Sequence, residues 1–202
     1  MSSFWSNPWW IWTSRWTVRQ VTDSVEMRDL TDRIKSQNSR GKFVDTHPIE
    51  EYDTFMNFAN WDKAVWAVTK DQDIVNYASV WWWAWKPVML KMIEAWGIKM
   101  DNYWEWLVRQ YEKYWFEPVA KVKWNDEFAP DWWNYAEHGR PDIYFMKHNW
   151  DDVSFIESNY WKYPHKTLKE LDELPVLDYD EAYKYRDELV STDPRLADKL
   201  WK

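Results

Sequence analysis

Residues 71–97 read DQDIVNYASVWWWAWKPVMLKMIEAWG, and the conformation of this stretch decides the fold class of the chain. From Ile74 to Trp85 it carries no charge. Read as a helix capped by Asp71 or Asp73 and ended by Gly97, it sends Trp81, Trp82, Trp83 and Trp85 in different directions around the axis. A helix that is apolar all round has to be enclosed by its own domain, a partner or lipid. Lys86, Pro87, Lys91 and Glu94 interrupt it too soon for a full membrane span, and Pro87 is expected to kink or divide it.

The segments on either side support the same helical reading. Asp23, with Glu26 three residues on, forms a capping-box pattern for a surface helix over 22–40, ended at Gly41. Thr46-His47-Pro48 signals a second helix reaching about Lys70, with Ile49, Tyr52, Met56 and Ala59 on one face and Trp66 further along. Trp104, Leu107, Val108, Tyr111 and Trp115 give the clearest apolar face, on a helix from Asp101 to Glu117 that Pro118 ends. Val119–Trp124 alternates weakly, like a short strand. From 124 to 165 prolines and aromatics occur without period, as in an extended segment lying over another surface. Short helices follow at Thr167–Leu174 and Asp180–Val190, and a last one begins with Asp193 as cap and Pro194 at its first position.

The expected fold is therefore mainly α: an irregular helical body of amphipathic helices with a long extended, proline-punctuated C-terminal segment. The expected organisation is a Trp-rich contact segment at 1–20, a helical body at 21–123 and an acidic wrapping segment at 124–202.

Composition points to surfaces. The chain has 202 residues with 21 tryptophans, 12 tyrosines, three glycines and no cysteine. Without cysteine there is no disulfide framework, no thiolate nucleophile and no Cys-based metal site. A mean hydropathy of −0.79 understates the apolar content. Tryptophan is a large apolar body with one polar tip, and every buried indole N–H needs an acceptor. Interfaces satisfy both demands, being dry at one end and wet at the other.

The net charge is −8. It arises entirely in residues 124–202, where 18 acids face 10 bases; residues 1–123 hold 16 of each. No basic stripe is present, which argues against nucleic acid as a partner. The simplest reading of the acidic third is a solvated surface.

Within the first 22 residues there is no acid. Asn7-Pro8 reads as a helix start, after which Trp5, Trp9, Trp12 and Trp16 fall on one stripe with Trp10 beside it. The segment is too interrupted to span a bilayer and has no secretory cleavage pattern, so a membrane boundary or a partner's groove is its expected environment. The candidate contact residues are Trp5, Trp9, Trp10, Trp12, Trp16, Trp81, Trp82, Trp83 and Trp85. Deleting residues 1–20 is expected to weaken that association and leave the helical signal of the remainder intact.

No catalytic constellation emerges. His47, His138, His148 and His165 show no metal-ligand spacing and read as residues with local hydrogen bonds. Adjacent acids such as Glu50/Glu51 and Asp151/Asp152 diverge on a helix or strand. Phosphate-binding glycine motifs and a nucleophile elbow are missing. No catalytic residue, metal ligand or cofactor is therefore assigned.

Stretches such as Phe128-Ala-Pro-Asp-Trp-Trp-Asn-Tyr135 and Tyr160-Trp-Lys-Tyr-Pro-His165, with the Trp-rich start and acidic end, resemble in style the supernumerary subunits of respiratory-chain complexes and ATP synthase. That resemblance implies a non-catalytic accessory subunit in a membrane-associated assembly such as the mitochondrial inner membrane, with other subunits as partners. A soluble Trp-platform carbohydrate-binding or hydrolytic domain is the first alternative, and a pigment- or cofactor-binding helical protein the second.

Overall fold

A computed structural model describes residues 18–80, 85–149, 152–160 and 162–196. The N-terminal indoles Trp5, Trp9, Trp10, Trp12 and Trp16, together with Trp81, Trp82 and Trp83, lie outside the described residues. The mainly α expectation is overturned: the chain is 42% helical and 23% strand, with two antiparallel sheets of four and three strands. The chain divides into two compact units, Met1–Gly97 and Ile98–Lys202.

The first unit runs β1 (Val18–Val21), α1 (Ser24–Gln37), α2 (Ile49–Tyr52), β2 (Met56–Asn60), β3 (Ala64–Val68), β4 (Ile74–Ser79) and α3 (Trp85–Glu94). Its strands lie in chain order, each antiparallel to the next. Helix α1 starts where the sequence places it, because Asp23 accepts from the backbone N–H of Val25 and Glu26. Its buried Met27, Leu30 and Ile34 meet Val21, Tyr52, Ala59, Val65 and Ala78 in one core. Gly41 does not end this helix. It is needed because a Cβ there would sit 2.1 Å from the Lys35 carbonyl oxygen.

The expected helix through Lys70 is one turn followed by a hairpin. Strand β3, AVWAV, is buried at every residue. Helix α1 packs against β3, β4 and β1, and α3 against β3 and β1. A strand with cover on both faces reads as a continuous apolar run, so it lacks the alternation that would have betrayed it. Phe58 and Trp66 stack side by side at 5.5 Å on neighbouring strands. The expected helix from Asp71 to Gly97 is strand β4 followed by α3, and Pro87 lies in the first turn of α3, where proline is tolerated.

β4 also contains a bulge. Val65 faces Ala78 and Ala67 faces Val75, so Asn76 and Tyr77 together oppose Trp66. Asn76 takes a positive φ of 58°, which asparagine tolerates better than most residues. Its Nδ2 donates to Thr31 Oγ1 of α1 at 3.0 Å.

The second unit runs β5 (Lys99–Tyr103), α4 (Glu105–Glu112), β6 (Phe116–Val122), α5 (Tyr135–His138), β7 (Ile143–His148), α6 (Val153–Asn159), α7 (Leu168–Asp172) and α8 (Tyr179–Thr192). Its strand order is β5-β7-β6, so the last strand enters between the earlier two. The expected helix from Asp101 to Glu117 is shorter than its apolar pattern. Trp104 becomes its N-cap position and Pro118 enters β6 beside a register shift, a site where proline is acceptable. The 124–165 stretch supplies the central strand of the sheet in place of an extended wrap. Asp193 closes α8 as its C-cap, and the described residues that follow it, 194–196, form a turn.

Helix α8 packs against β6 and β7, with Ala182 against Ala120 and Phe145. The acidic third of the chain proves more than a solvated face. Lys99 pairs with Asp187 at 3.1 Å, Lys147 with Asp193 at 3.2 Å, and Lys121 with Asp172 at 3.5 Å. All three lysines are buried. Removing one partner of such a pair is costly, because the remaining charge stays in a poor solvent.

Several of the tight corners are turned without glycine. Among the described residues six non-glycine positions have positive φ: Trp61, Gln72, Asn76, Trp96, Trp104 and Trp115. Trp61 turns β2 into β3, Gln72 turns β3 into β4, Trp104 joins β5 to α4, and Trp115 joins α4 to β6. Each is a place where glycine would be the default. β1 also corrects the deletion expectation, since a cut after residue 20 removes three of its four residues and tests the sheet as well as the segment.

Two measurements check this fold. Trp61 has φ 51° and is 61% exposed. Replacing it by Gly or by Val removes the same indole, but only glycine tolerates that backbone. Trp61→Gly should therefore be more stable than Trp61→Val by about 1–2 kcal/mol, read from urea midpoints; equal midpoints would contradict the turn. The second measurement concerns Asp193, whose pKa is held below the ordinary carboxylate range, chiefly by hydrogen bonds from Arg195, with Lys147 adding to the effect. A depressed folded-state pKa gives stability that is complete above the unfolded pKa of about 4 and lost as pH falls below it. Asp193→Asn should cost about 1.5–3 kcal/mol at neutral pH, and the gap to the parent protein should shrink between pH 4 and pH 2. A gap that stays constant through that window would contradict the assignment.

Candidate aromatic binding site

The site lies at one end of the second sheet. Tyr103 of β5 and Val122 of β6 both face Ile143 of β7, so the two outer strands end beside the start of the central one. The connection from 123 to 142 therefore lies over that end. Tyr103, Trp104, Trp124, Trp132, Trp133, Tyr135 and His138 gather there.

Trp133, 8% exposed, is the centre. Its ring lies 4.2 Å from Trp124, 5.3 Å from His138, 5.8 Å from Trp132 and 6.1 Å from Tyr103. Trp104 stacks on it at 6.0 Å with 13° between planes. The cost of sheltering indole N–H groups is met within the cluster. Trp133 Nε1 donates to the Gly139 carbonyl at 3.0 Å and Trp124 Nε1 to Asp126 Oδ1 at 2.8 Å. Trp104 Nε1 reaches the His138 carbonyl at 3.5 Å, the outer limit of a hydrogen bond.

Local sequence explains this shape. Trp133 N–H closes a turn on the Pro130 carbonyl at 2.8 Å. Asn134 Oδ1 then caps α5 by accepting from Ala136 N–H. Gly139, at φ 63° and ψ −145°, ends α5 in a region reserved for glycine, and this is one corner where the chain does use one. It aims its carbonyl at Trp133.

The outer rim mixes aromatic faces with charge. Phe128 is 80% exposed, Trp132 42% and Tyr135 38%. Arg140 makes a bidentate pair with Asp126, Nε to Oδ1 at 2.9 Å and Nη2 to Oδ2 at 2.8 Å. Its guanidinium also lies 4.5 Å over the Tyr135 ring. That hydrogen bonding holds the Asp126 carboxyl below its ordinary range. Chemically the ledge can stack a flat or cationic group and accept hydrogen bonds at its rim.

A second polar cluster holds the structure together. The fully buried Glu112 accepts from His165 Nδ1 at 2.7 Å, Arg109 Nη1 at 3.0 Å and the Lys166 N–H at 3.0 Å. Three donors on one carboxylate tie the segment before α7 to α4. The other histidines also have local partners: His47 with Glu51, His138 with Glu137, and His148 with the Tyr114 carbonyl. Among the described residues no group of three or more His, Cys, Asp or Glu is placed to hold a metal ion. A shallow depression on α1, lined by Asp23, Val25, Glu26, Asp29, Leu30 and Arg33, has no aromatic face.

Of the candidate contact residues, only Trp85 is among those described. It opens α3, half-buried, with its ring 4.7 Å from Tyr77 of β4. The ledge draws on residues the sequence reading placed elsewhere. The sequence pattern places Trp104 on the face of a helix and marks Trp132, Trp133 and Tyr135 only as a stretch of unusual composition. The spacing D-W-W-N-Y between Pro130 and Gly139 was the available signal, a turn followed by a capped single-turn helix.

No protein-family model, no curated protein and no solved structure matches this chain.

The two neighbouring indoles should behave differently on truncation. Trp133→Ala removes the ring that five others pack against and should cost about 3–5 kcal/mol, while the exposed Trp132→Ala should change stability by no more than about 0.5 kcal/mol. Chemical denaturation of both variants checks this. Equal costs would mean that Trp132 is a core residue.

Proposed function

We propose that this chain is a binding module, an accessory component that docks a partner through the aromatic ledge of its second unit. One observation carries the reading: the ledge presents Phe128, Trp132 and Tyr135 outward, on a base whose indole N–H groups are bonded internally. Such a base is rigid before any partner arrives, so little side-chain entropy is lost on binding. Aromatic and arginine side chains are also the residues that carry most interface energy. This reading keeps the accessory role that the composition suggested and adds a contact surface in the second unit. No helix among the described residues is long and apolar enough to cross a membrane.

Indole fluorescence tests the reading. Wild type and Trp132→Ala are titrated with three defined probes: an arginine-containing pentapeptide, a neutral hexasaccharide and inorganic polyphosphate. The expected result is a saturable change with at least one probe, weakened about tenfold or more in the variant. A flat response to all three would overturn the reading.

A further inference from the structure

We propose that the ledge takes a cationic partner, a protein segment that presents arginine side chains. This rests on the binding-module reading and names its ligand chemistry. Three observations converge on it.

Over residues 124–140 the acids are Asp126, Glu127, Asp131 and Glu137, against the single base Arg140. Four against one leaves this surface strongly negative, which repels a phosphate-bearing ligand and attracts a cation.

The carboxylates differ in how they are used. Asp126 is neutralised by its bidentate arginine, and Glu137 lies 3.5 Å from His138. Glu127 and Asp131 enter no ion pair among the described residues, and they stand in the chain directly beside the exposed Phe128 and Trp132. An aromatic face next to an unpaired carboxylate is the complement of a guanidinium, which is flat, weakly hydrated and permanently charged.

The ledge already holds one such group. Arg140 lies over Tyr135 at 4.5 Å while its edge nitrogens bond Asp126. Exposed rings and unpaired acids that are chain neighbours, Phe128 with Glu127 and Trp132 with Asp131, offer the same two kinds of group to two further arginines from a partner. A neutral sugar would use the rings and leave the fixed charges without a counterpart.

The experiment compares an acetylated, amidated pentapeptide bearing two arginines with the same peptide bearing citrulline, which keeps the shape and loses the charge. Binding to the full chain is followed by indole fluorescence at low and high salt, with the neutral hexasaccharide as a third arm. The arginine peptide should saturate. The citrulline peptide should bind about tenfold more weakly, and Glu127→Gln combined with Asp131→Asn should cost a similar factor. High salt should weaken the arginine peptide alone. Circular dichroism confirms that the double variant is folded; both substituted positions are exposed, and the peptide comparison stands without it. Equal binding of the two peptides would overturn the inference. Saturation by the hexasaccharide but not the arginine peptide would overturn it too, while the binding-module reading stands. Silence from every probe would remove both.

Discussion

A chain with three glycines has to turn its corners with other residues, and both sheets depend on those corners. The hairpins of the first unit turn at Trp61 and Gln72, and the second sheet reaches its helix and returns through Trp104 and Trp115. Each left-handed residue costs about 1–2 kcal/mol relative to ordinary backbone. That cost is borne because the strands on either side are strongly committed. β3 is buried at all five positions, and both neighbours pair with it antiparallel, β2 in unbroken register and β4 through the bulge opposite Trp66. Burial of the strands therefore stabilises the corners, and the corners set the register that allows the burial.

The same constraint explains which parts of the fold the sequence discloses. Some helix starts are legible, since a cap is a local hydrogen bond between residues two or three apart. Asp23 caps α1 as its spacing suggests and α7 starts after Thr167 as expected, whereas α8 is capped by Asp178 with Glu181, two residues ahead of the expected start at Asp180. Strands are hidden for two reasons. Hairpin signals rely on Gly, Asn-Gly or Pro, and here tryptophan occupies the turn. Strands covered on both faces show no alternation, so Ala64–Val68 and Ile143–His148 read as helix and as irregular chain respectively. The helical spacing of Ile49, Tyr52, Met56, Ala59 and Trp66 was real as a pattern but coincidental as a cause, for those residues belong to a one-turn helix and two strands.

Charge follows a comparable logic. The excess of acid in the last third suggested a solvated surface, and part of it serves instead to neutralise Lys99, Lys121 and Lys147 inside the second unit. What is left outside includes the four acids of the aromatic ledge, Asp126, Glu127, Asp131 and Glu137, and others exposed along the later helices. The ledge itself was half legible. Its composition stood out between Phe128 and Tyr135, but its members come from the end of β5, the chain after β6 and a turn before α5. Only the pairing of Tyr103 and Val122 with one residue of β7 brings them together, and a single sequence does not display that register.

The most direct test of this account is the conformation of residues 56–79 in solution, measured by cross-strand nuclear Overhauser effects in the isotope-labelled protein. The account predicts close backbone contacts between Ala59 and Val65 and between Val65 and Ala78, with an irregularity at Asn76. Sequential amide–amide contacts running unbroken through this stretch, with no cross-strand pair, would show a helix there and contradict the fold from which the site is built.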